Sequence, residues 1–320
     1  MDFLTFLKDP AWDIPFFKKL PRNDTGDAPG HQGGLVVPID LRAFFPTLTG
    51  STTSIAPTID YQIRAILYNG SDKLASVYTR YQFQTWGGTR SPESRLTGNL
   101  GPIRNLAEEG DLLLFQRHLE NLNLYRFILL KMRSPYFREV SSSLPSGRWG
   151  TLFKETPISQ QDINNLEEQE KEQETKPFAL FEEEGRKIET RSIRLARSII
   201  FRHTIQKIYL NKCVICNSGL MTPTGIHEVE ASHIVPKSQC GSDDARNGLA
   251  FCKRHHWAFD RGLFGIDESY RMVVPGNVLA ISCNRLLAEF AGKDISEPDN
   301  SNLKPDLSAL RWHRENILIA

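Results

Sequence analysis

Two chelating pairs set the strongest constraint on how this chain folds. Cys213 and Cys216 form a C-x2-C knuckle, and Cys252 and His255 form a C-x2-H pair at the far end of the same segment. Tetrahedral zinc takes four ligands from two such pairs, and this set leaves no open coordination position, which marks a structural site. The competing reading treats the cysteines as small buried hydrophobes. It leaves their spacing unexplained. The count of five cysteines is odd, and three of them, Cys213, Cys216 and Cys252, stand at ligand spacing in the histidine-bearing segment, so ligation fits better than a disulfide framework. Cys240 and Cys283 have no neighbour at ligand spacing and read as ordinary thiols.

The frame encloses more chemistry. HEVEASHIVP alternates as a strand ending in His233, ARNGLAFC sets Asn247 in a turn before a short apolar strand, and KRHHWAFDRG opens a helix that carries His256. A hairpin and a helix clamped by zinc resembles the HNH endonuclease family with its ββα-metal fold. ASHIVP with NGLAFCKRHHWAFDRGLF is similar to the subgroup found in restriction and modification-dependent nucleases. The resemblance runs from Cys213 to about Val274 and sets the family's H, N and H on His233, Asn247 and His256. It implies phosphodiester hydrolysis that leaves a 5′-phosphate.

That reaction needs a base to activate water and a divalent cation to neutralise charge on the scissile phosphate and leaving oxygen. A histidine near its unperturbed pKa suits the base, which fits His233. His256, next to the zinc ligand His255, can point the other way and hold Mg2+ or another divalent metal. By the family analogy, the Asn247 amide orients the base or tightens the loop by bonding backbone. His227 has no matching role and reads as a surface residue. One departure stands out: many family members carry Asp or His just before the base histidine as a second metal ligand, and this chain has Ser232. The catalytic metal is then held by His256 with substrate phosphate and water, or by a carboxylate such as Glu230 or Asp260. For Asp260, pairing with Arg261 is the stronger competing reading.

The N-terminal half reads as β structure. Segments 35–39, 62–68, 74–86, 111–118 and 123–132 are rich in branched and aromatic residues and bounded by Gly, Pro, Asn and Ser, a spacing that suggests a barrel or sandwich. Two polar loops interrupt them. Lys18–Gly34 holds Asn23, Asp24, Thr25, His31 and Gln32, and Gly87–Arg104 holds Arg90, Glu93, Arg95, Asn99 and Arg104. These side chains are suited to base edges and phosphates, and equally to solvated turns. KKLPRNDTGDAPGHQGGLVVP, with ESRLTG and EEGDLLLF further on, resembles the B3-like DNA-recognition domain of the EcoRII restriction-enzyme family over roughly residues 10 to 135. The resemblance implies a pseudobarrel that grips double-stranded DNA with two arms. The first would carry Lys19, Arg22, Asn23, Asp24, Thr25, His31 and Gln32, and the second Arg90, Glu93, Arg95 and Thr97. Where the family commonly has an aromatic residue between the Glu and the Arg of its second arm, this chain has Ser94.

Residues 149–190 are rich in Glu and Gln and read as an acidic linker, partly helical at best. RSIRLARSIIFRHTIQKIYLNKC follows with helical spacing and a basic face of Arg191, Arg194, Arg197 and Arg202, read as solvated or as touching phosphates. LSALRWHRENIL has the spacing of a closing helix, in which His313 is packed or on the surface. The net charge of +1 neither demands nor excludes a polyanionic partner. No run of about 18 apolar residues spans a membrane and the N-terminus lacks the pattern of a signal peptide, so a cytoplasmic location is the expectation.

The expected architecture is α+β in two domains: a B3-like β-pseudobarrel at 1–148, an acidic linker at 149–190, and a zinc-stabilised ββα-metal (HNH) domain with flanking helices at 191–320. The expected function is a site-specific restriction endonuclease, a homodimer because one such site cuts one strand. Two alternatives stay open. One is a modification-dependent enzyme sensing 5-methylcytosine or hydroxymethylcytosine, and the other is a non-catalytic zinc-containing DNA-binding protein.

Overall fold

The computed structural model describes residues 2–26, 34–88, 90–182 and 190–319, and the chain divides into two units, Met1–Asp162 and Ile163–Ala320. In the first unit α1 (Phe3–Leu7) precedes β1 (Phe16–Lys19), β2 (Leu35–Val37), β3 (Thr58–Asn69), β4 (Asp72–Gln84) and β5 (Glu93–Thr97). A single turn, α2 (Gly101–Arg104), leads to β6 (Leu112–Arg117), β7 (Leu124–Leu130), α3 (Pro135–Ser141) and β8 (Trp149–Thr151). The strands form one sheet in the order β2-β5-β4-β3-β7-β6-β1-β8, and among the described residues only the β3–β7 pair is parallel.

Every residue of β6 and β7 is buried. Side chains alternate across a sheet, so an unbroken buried run requires cover on both faces. Leu113, Phe115, Tyr125, Phe127 and Leu129 enter one core cluster. Leu112, Leu114, Ile128 and Leu130 enter the other, beneath Phe3 and Leu7 of α1 and Val140 of α3. The first cluster also joins Leu35 of β2 to Phe16 of β1, strands near opposite ends of the sheet order, so the sheet curls around it. Arg126 is buried on the α1 side. It donates to Gln116 Oε1 at 2.8 Å and to the Phe6 carbonyl at 2.8 Å, with its guanidinium over the rings of Phe6 and Trp12. Burial pushes Arg126 down to about 10, which leaves it charged at neutral pH.

Two stretches hold regular structure beyond what their composition suggests. The stretch 87–104, expected as a loop, contains β5 and α2. Its E-S-R-L-T alternation turns Ser94 and the fully buried Leu96 inward between β2 and β4, a strand disguised by polar outward residues. The span 149–190, expected as a linker, contains β8, which extends the sheet beside β1, and the helix α4 (Gln160–Gln173). Leu152, Ile158 and Ile163 are buried within this Glu- and Gln-rich stretch. Residues 183–189 of the span lie outside the described residues.

In the second unit α4 is followed by α5 (Arg191–Ile208), the hairpin strands β9 (Glu230–His233) and β10 (Gly248–Phe251), and α6 (Lys253–Asp260). A small second hairpin, β11 (Gly265–Ile266) and β12 (Met272–Val273), precedes α7 (Gly276–Leu279), α8 (Arg285–Ala288) and α9 (Leu307–Asn316). The β9–β10 register sets His233 opposite Gly248 and Glu230 opposite Phe251. Helix α5 lies on this hairpin. An added Cβ on Gly248 would sit 2.3 Å from Ile205, so the bare backbone lets the helix approach. On α9, His313 is buried and stacks on Phe259 at 3.7 Å between ring centroids. Burial pushes it down to about 4, so it packs as a neutral ring. Among the described residues no helix is long and apolar enough to cross a membrane.

Candidate active site

The metal frame is built from local geometry. Cys252 is the N-cap of α6 and His255 lies one turn in, so both side chains face the knuckle at Cys213. The knuckle itself is tied to β10 through the Val214 amide and the Ala250 carbonyl, at 2.9 Å. Ligand atoms of Cys213, Cys216, Cys252 and His255 all lie within 4.8 Å of one another. His255 Nδ1 is 3.4 Å from the Cys213 sulfur and 3.3 Å from that of Cys252, and the sulfurs of Cys216 and Cys252 are 3.9 Å apart. A tetrahedral zinc ion separates sulfur and nitrogen ligands by about 3.5 Å and two sulfurs by about 3.8 Å. The donor set and its spacing fit zinc. A hydrogen bond from Cys213 holds the Cys252 thiol far below the usual range, and Cys213, bonded to Cys252 and buried, is pushed up.

His233 ends β9, half-buried. Its ring stacks on Phe201 of α5, with centroids 3.8 Å apart and planes 6° from parallel. Its Nε2 is 3.0 Å from Asp243 Oδ1, and the same oxygen lies 3.1 Å from Lys237 Nζ. Burial alone would raise the Asp243 carboxyl, but the hydrogen bond from His233 and the Lys237 charge outweigh it and bring it to about 2.

Asn247 is fully buried and all its polar atoms face backbone. Its Oδ1 accepts from the Val235 amide at 2.9 Å, and its Nδ2 donates to the carbonyls of Val235 and Ser242 at 3.1 and 2.9 Å. It tightens the loop between β9 and β10. Gly241 belongs to the same arrangement, because a Cβ there would fall 1.8 Å from the Val235 carbonyl oxygen.

His256 leaves α6 about 100° around the helix from His255. Its Nδ1 is 2.7 Å from Glu230 Oε2, a charge-assisted hydrogen-bond distance. Its Nε2 is 3.4 Å from Asp260 Oδ2, one turn along the helix. That second gap is long for a strong hydrogen bond but matches two ligands sharing one cation, since atoms about 2.1 Å from a metal lie about 3.0 Å apart at a right angle and farther apart at wider angles. Ser232 Oγ sits 3.4 Å from Asp260 Oδ1, so the hydroxyl at the departure position faces a carboxylate brought in from α6. Asp260 therefore contacts Ser232 and His256, whereas Arg261 lies over the Trp257 ring.

A cavity of 660 Å3 opens beside the partners of His233, lined by Phe201, Asp243, Ser242, Asp244, Glu170 and Arg197 among others. Burial pushes the Glu170 carboxyl up to about 7, against a hydrogen bond from the Thr204 hydroxyl. An unfolded glutamate ionises near about 4.3. The stability this protonated group contributes is therefore complete below that value and is lost as pH rises through about 7. Glu170→Gln is expected to raise the melting temperature of the second unit by an amount that grows from about pH 4 to about pH 7 and then levels off. Thermal unfolding across that range checks this, and a gain independent of pH would contradict it.

The residues expected at a DNA interface in the first unit separate into two groups. Lys19, Arg22, Asn23 and Arg90 are exposed, with Arg90 over the Trp86 ring, 5.2 Å from its centroid. Asp24, Thr25 and Thr97 are buried and spend their side chains inside the unit. Asp24 pairs with the buried Lys18 and accepts from the Val36 amide, the Thr25 hydroxyl donates to the Arg22 carbonyl, and Thr97 donates to Gln82. All three lie below the surface of the unit. Glu93 and Arg95 pair with each other at 3.1 Å. Arg104 braces the first loop from beneath, donating to the carbonyls of Asp24 and Thr25. His31 and Gln32 lie outside the described residues.

Residues 213–267 match the family described as HNH endonuclease. No curated protein matches the chain. Among solved structures, one titled modification dependent TagI restriction endonuclease aligns with a TM-score of 0.29 and 12% identity, over 86% of this chain and 79% of that one. So loose a likeness carries no argument about fold or function. The family match stands on its own: the second unit carries an HNH endonuclease domain, which makes the chain a DNA endonuclease.

Proposed function

We propose that the chain is a restriction-type endonuclease whose first unit, a B3-like pseudobarrel, grips a short duplex site while the HNH domain hydrolyses the phosphodiester bond. The observation that carries the reading is one ββα frame holding His233 with Nε2 engaged, next in sequence to a serine that meets the His256, Glu230 and Asp260 cluster. In this reading His233 takes a proton from the attacking water, the new P–O bond forms, and the 3′-oxygen leaves so that the product keeps a 5′-phosphate. His256 and Asp260 would hold a divalent cation, with Glu230 orienting the His256 ring from its other nitrogen. When bound, that cation supplies charge neutralisation at the scissile phosphate and the leaving oxygen. Asn247 acts on the loop rather than on substrate. Cys213, Cys216, Cys252 and His255 would hold zinc in a closed structural site.

Support for the first unit's role is the curled sheet together with exposed Lys19, Arg22 and Asn23 after β1 and exposed Arg90 before β5. Cations at such positions contact phosphates, and Asn reads base edges. Cutting both strands then calls for two copies of the chain. The test is digestion of plasmids of one sequence, either unmodified or carrying 5-methylcytosine or hydroxymethylcytosine, with Mg2+ or Mn2+, followed by sequencing of the ends. Cutting of the unmodified plasmid at discrete sites is expected. Cutting confined to a modified plasmid shifts the reading to modification-dependent restriction. Intact binding with no nicking under any condition would leave only a zinc-containing DNA-binding protein.

A further inference from the structure

We infer that Asp243 is the positioning residue of the nuclease site, accepting the Nε2 proton of His233 so that Nδ1 is left as the atom that takes the proton from water. The inference rests on the proposed base role of His233 and specifies which nitrogen performs it. With Nε2 3.0 Å from a carboxylate oxygen, the only tautomer that makes a hydrogen bond there carries its proton on Nε2. The opposite tautomer would point a lone pair at a carboxylate. As His233 gains the water's proton at Nδ1, the resulting imidazolium sits beside a fixed negative charge, the arrangement that favours the protonated base in hydrolytic triads.

Both partners are held. Phe201 fixes the plane of the ring, and Lys237 shares the same Asp243 oxygen at 3.1 Å while also pairing with Glu182. The backbone on either side of Asp243 is pinned as well. The Ser242 carbonyl accepts from Asn247, and Asp244 caps the following turn and pairs with Arg246. Asn247 thus reaches the base through the loop that carries Asp243, which gives that buried amide its part in the site. The other charged groups around the dyad, Glu170 of α4 and Arg197 of α5, line the neighbouring cavity.

The experiment combines steady-state cleavage with a spectroscopic readout on the full chain. Asp243→Asn is expected to lower kcat on the order of 10- to 100-fold with KM little changed. It should also move the acidic limb of the kcat profile to lower pH, because the carboxylate no longer favours the imidazolium. A purely structural role would lower the melting temperature and leave that limb in place. Nitrogen-15 spectra of histidine-labelled wild-type chain, with the His233 signals assigned by difference from His233→Gln, read the tautomer without perturbing Asp243. The Nε2-protonated form is expected. The Nδ1-protonated form, or an Asp243→Asn enzyme with wild-type kcat and pH limb, overturns the inference. If His233→Ala itself cuts at the wild-type rate, the base assignment fails first. An inactive His233→Ala beside an unaffected Asp243→Asn sinks this inference alone.

Discussion

Cys252→Ala is expected to leave the second unit without its metal and without a cooperative unfolding transition, while the transition of the first unit persists. Cys252 is the junction of the frame: its sulfur lies 3.3 Å from His255 Nδ1 and 3.9 Å from the Cys216 sulfur, and its backbone caps α6. Structural zinc contributes on the order of 10–16 kcal/mol in small zinc-dependent folds, which equals or exceeds the whole stability of an ordinary domain at about 5–15 kcal/mol. The hairpin β9–β10 is two-stranded with four paired residues a side, and an isolated ladder of that size does not hold itself together. Elemental analysis should find about one zinc per wild-type chain and none in the variant. Calorimetry with and without a chelator should reproduce the effect in the wild type. A metal-free second unit that melts as before would contradict the assignment.

His233→Ala should abolish metal-dependent cleavage with DNA affinity retained. A positioned general base contributes about 10²–10⁴-fold to a rate, and alanine removes both the acceptor nitrogen and the ring that Asp243 and Phe201 fix in place. The substitution costs a ring stack at a half-buried strand end, not a core side chain, so the fold survives. Binding measured by gel shift alongside cleavage separates lost chemistry from lost protein.

The parts of this molecule legible in the sequence are those in which a short-range pattern carries the physics. The four metal-frame residues sit at fixed offsets in two pairs, so their convergence needed no knowledge of the fold. The apolar runs of β6 and β7 announced strands, and helical spacing announced α5 and α9. What stayed hidden depends on distant partners. Asp243 reads as one more turn-forming acid in GSDDARN, because its histidine lies ten residues back and the register that joins them is a property of the hairpin. Asp24 and Thr25 read as surface polar residues because nothing local reveals that Lys18 is buried beneath them. For the carboxylate missing at Ser232 the sequence offers both Glu230 and Asp260. Only the geometry divides their roles, with Glu230 at hydrogen-bond distance from one ring nitrogen of His256 and Asp260 beside the other and against Ser232.

The most direct measurement is the fate of supercoiled plasmid incubated with the full chain in Mg2+ or Mn2+. The wild type should convert it to nicked and then linear DNA with 5′-phosphate ends. Chelation should stop the reaction, and His233→Ala, at equal zinc content and equal DNA binding, should leave the plasmid supercoiled. Nicking by His233→Ala at the wild-type rate would contradict the account.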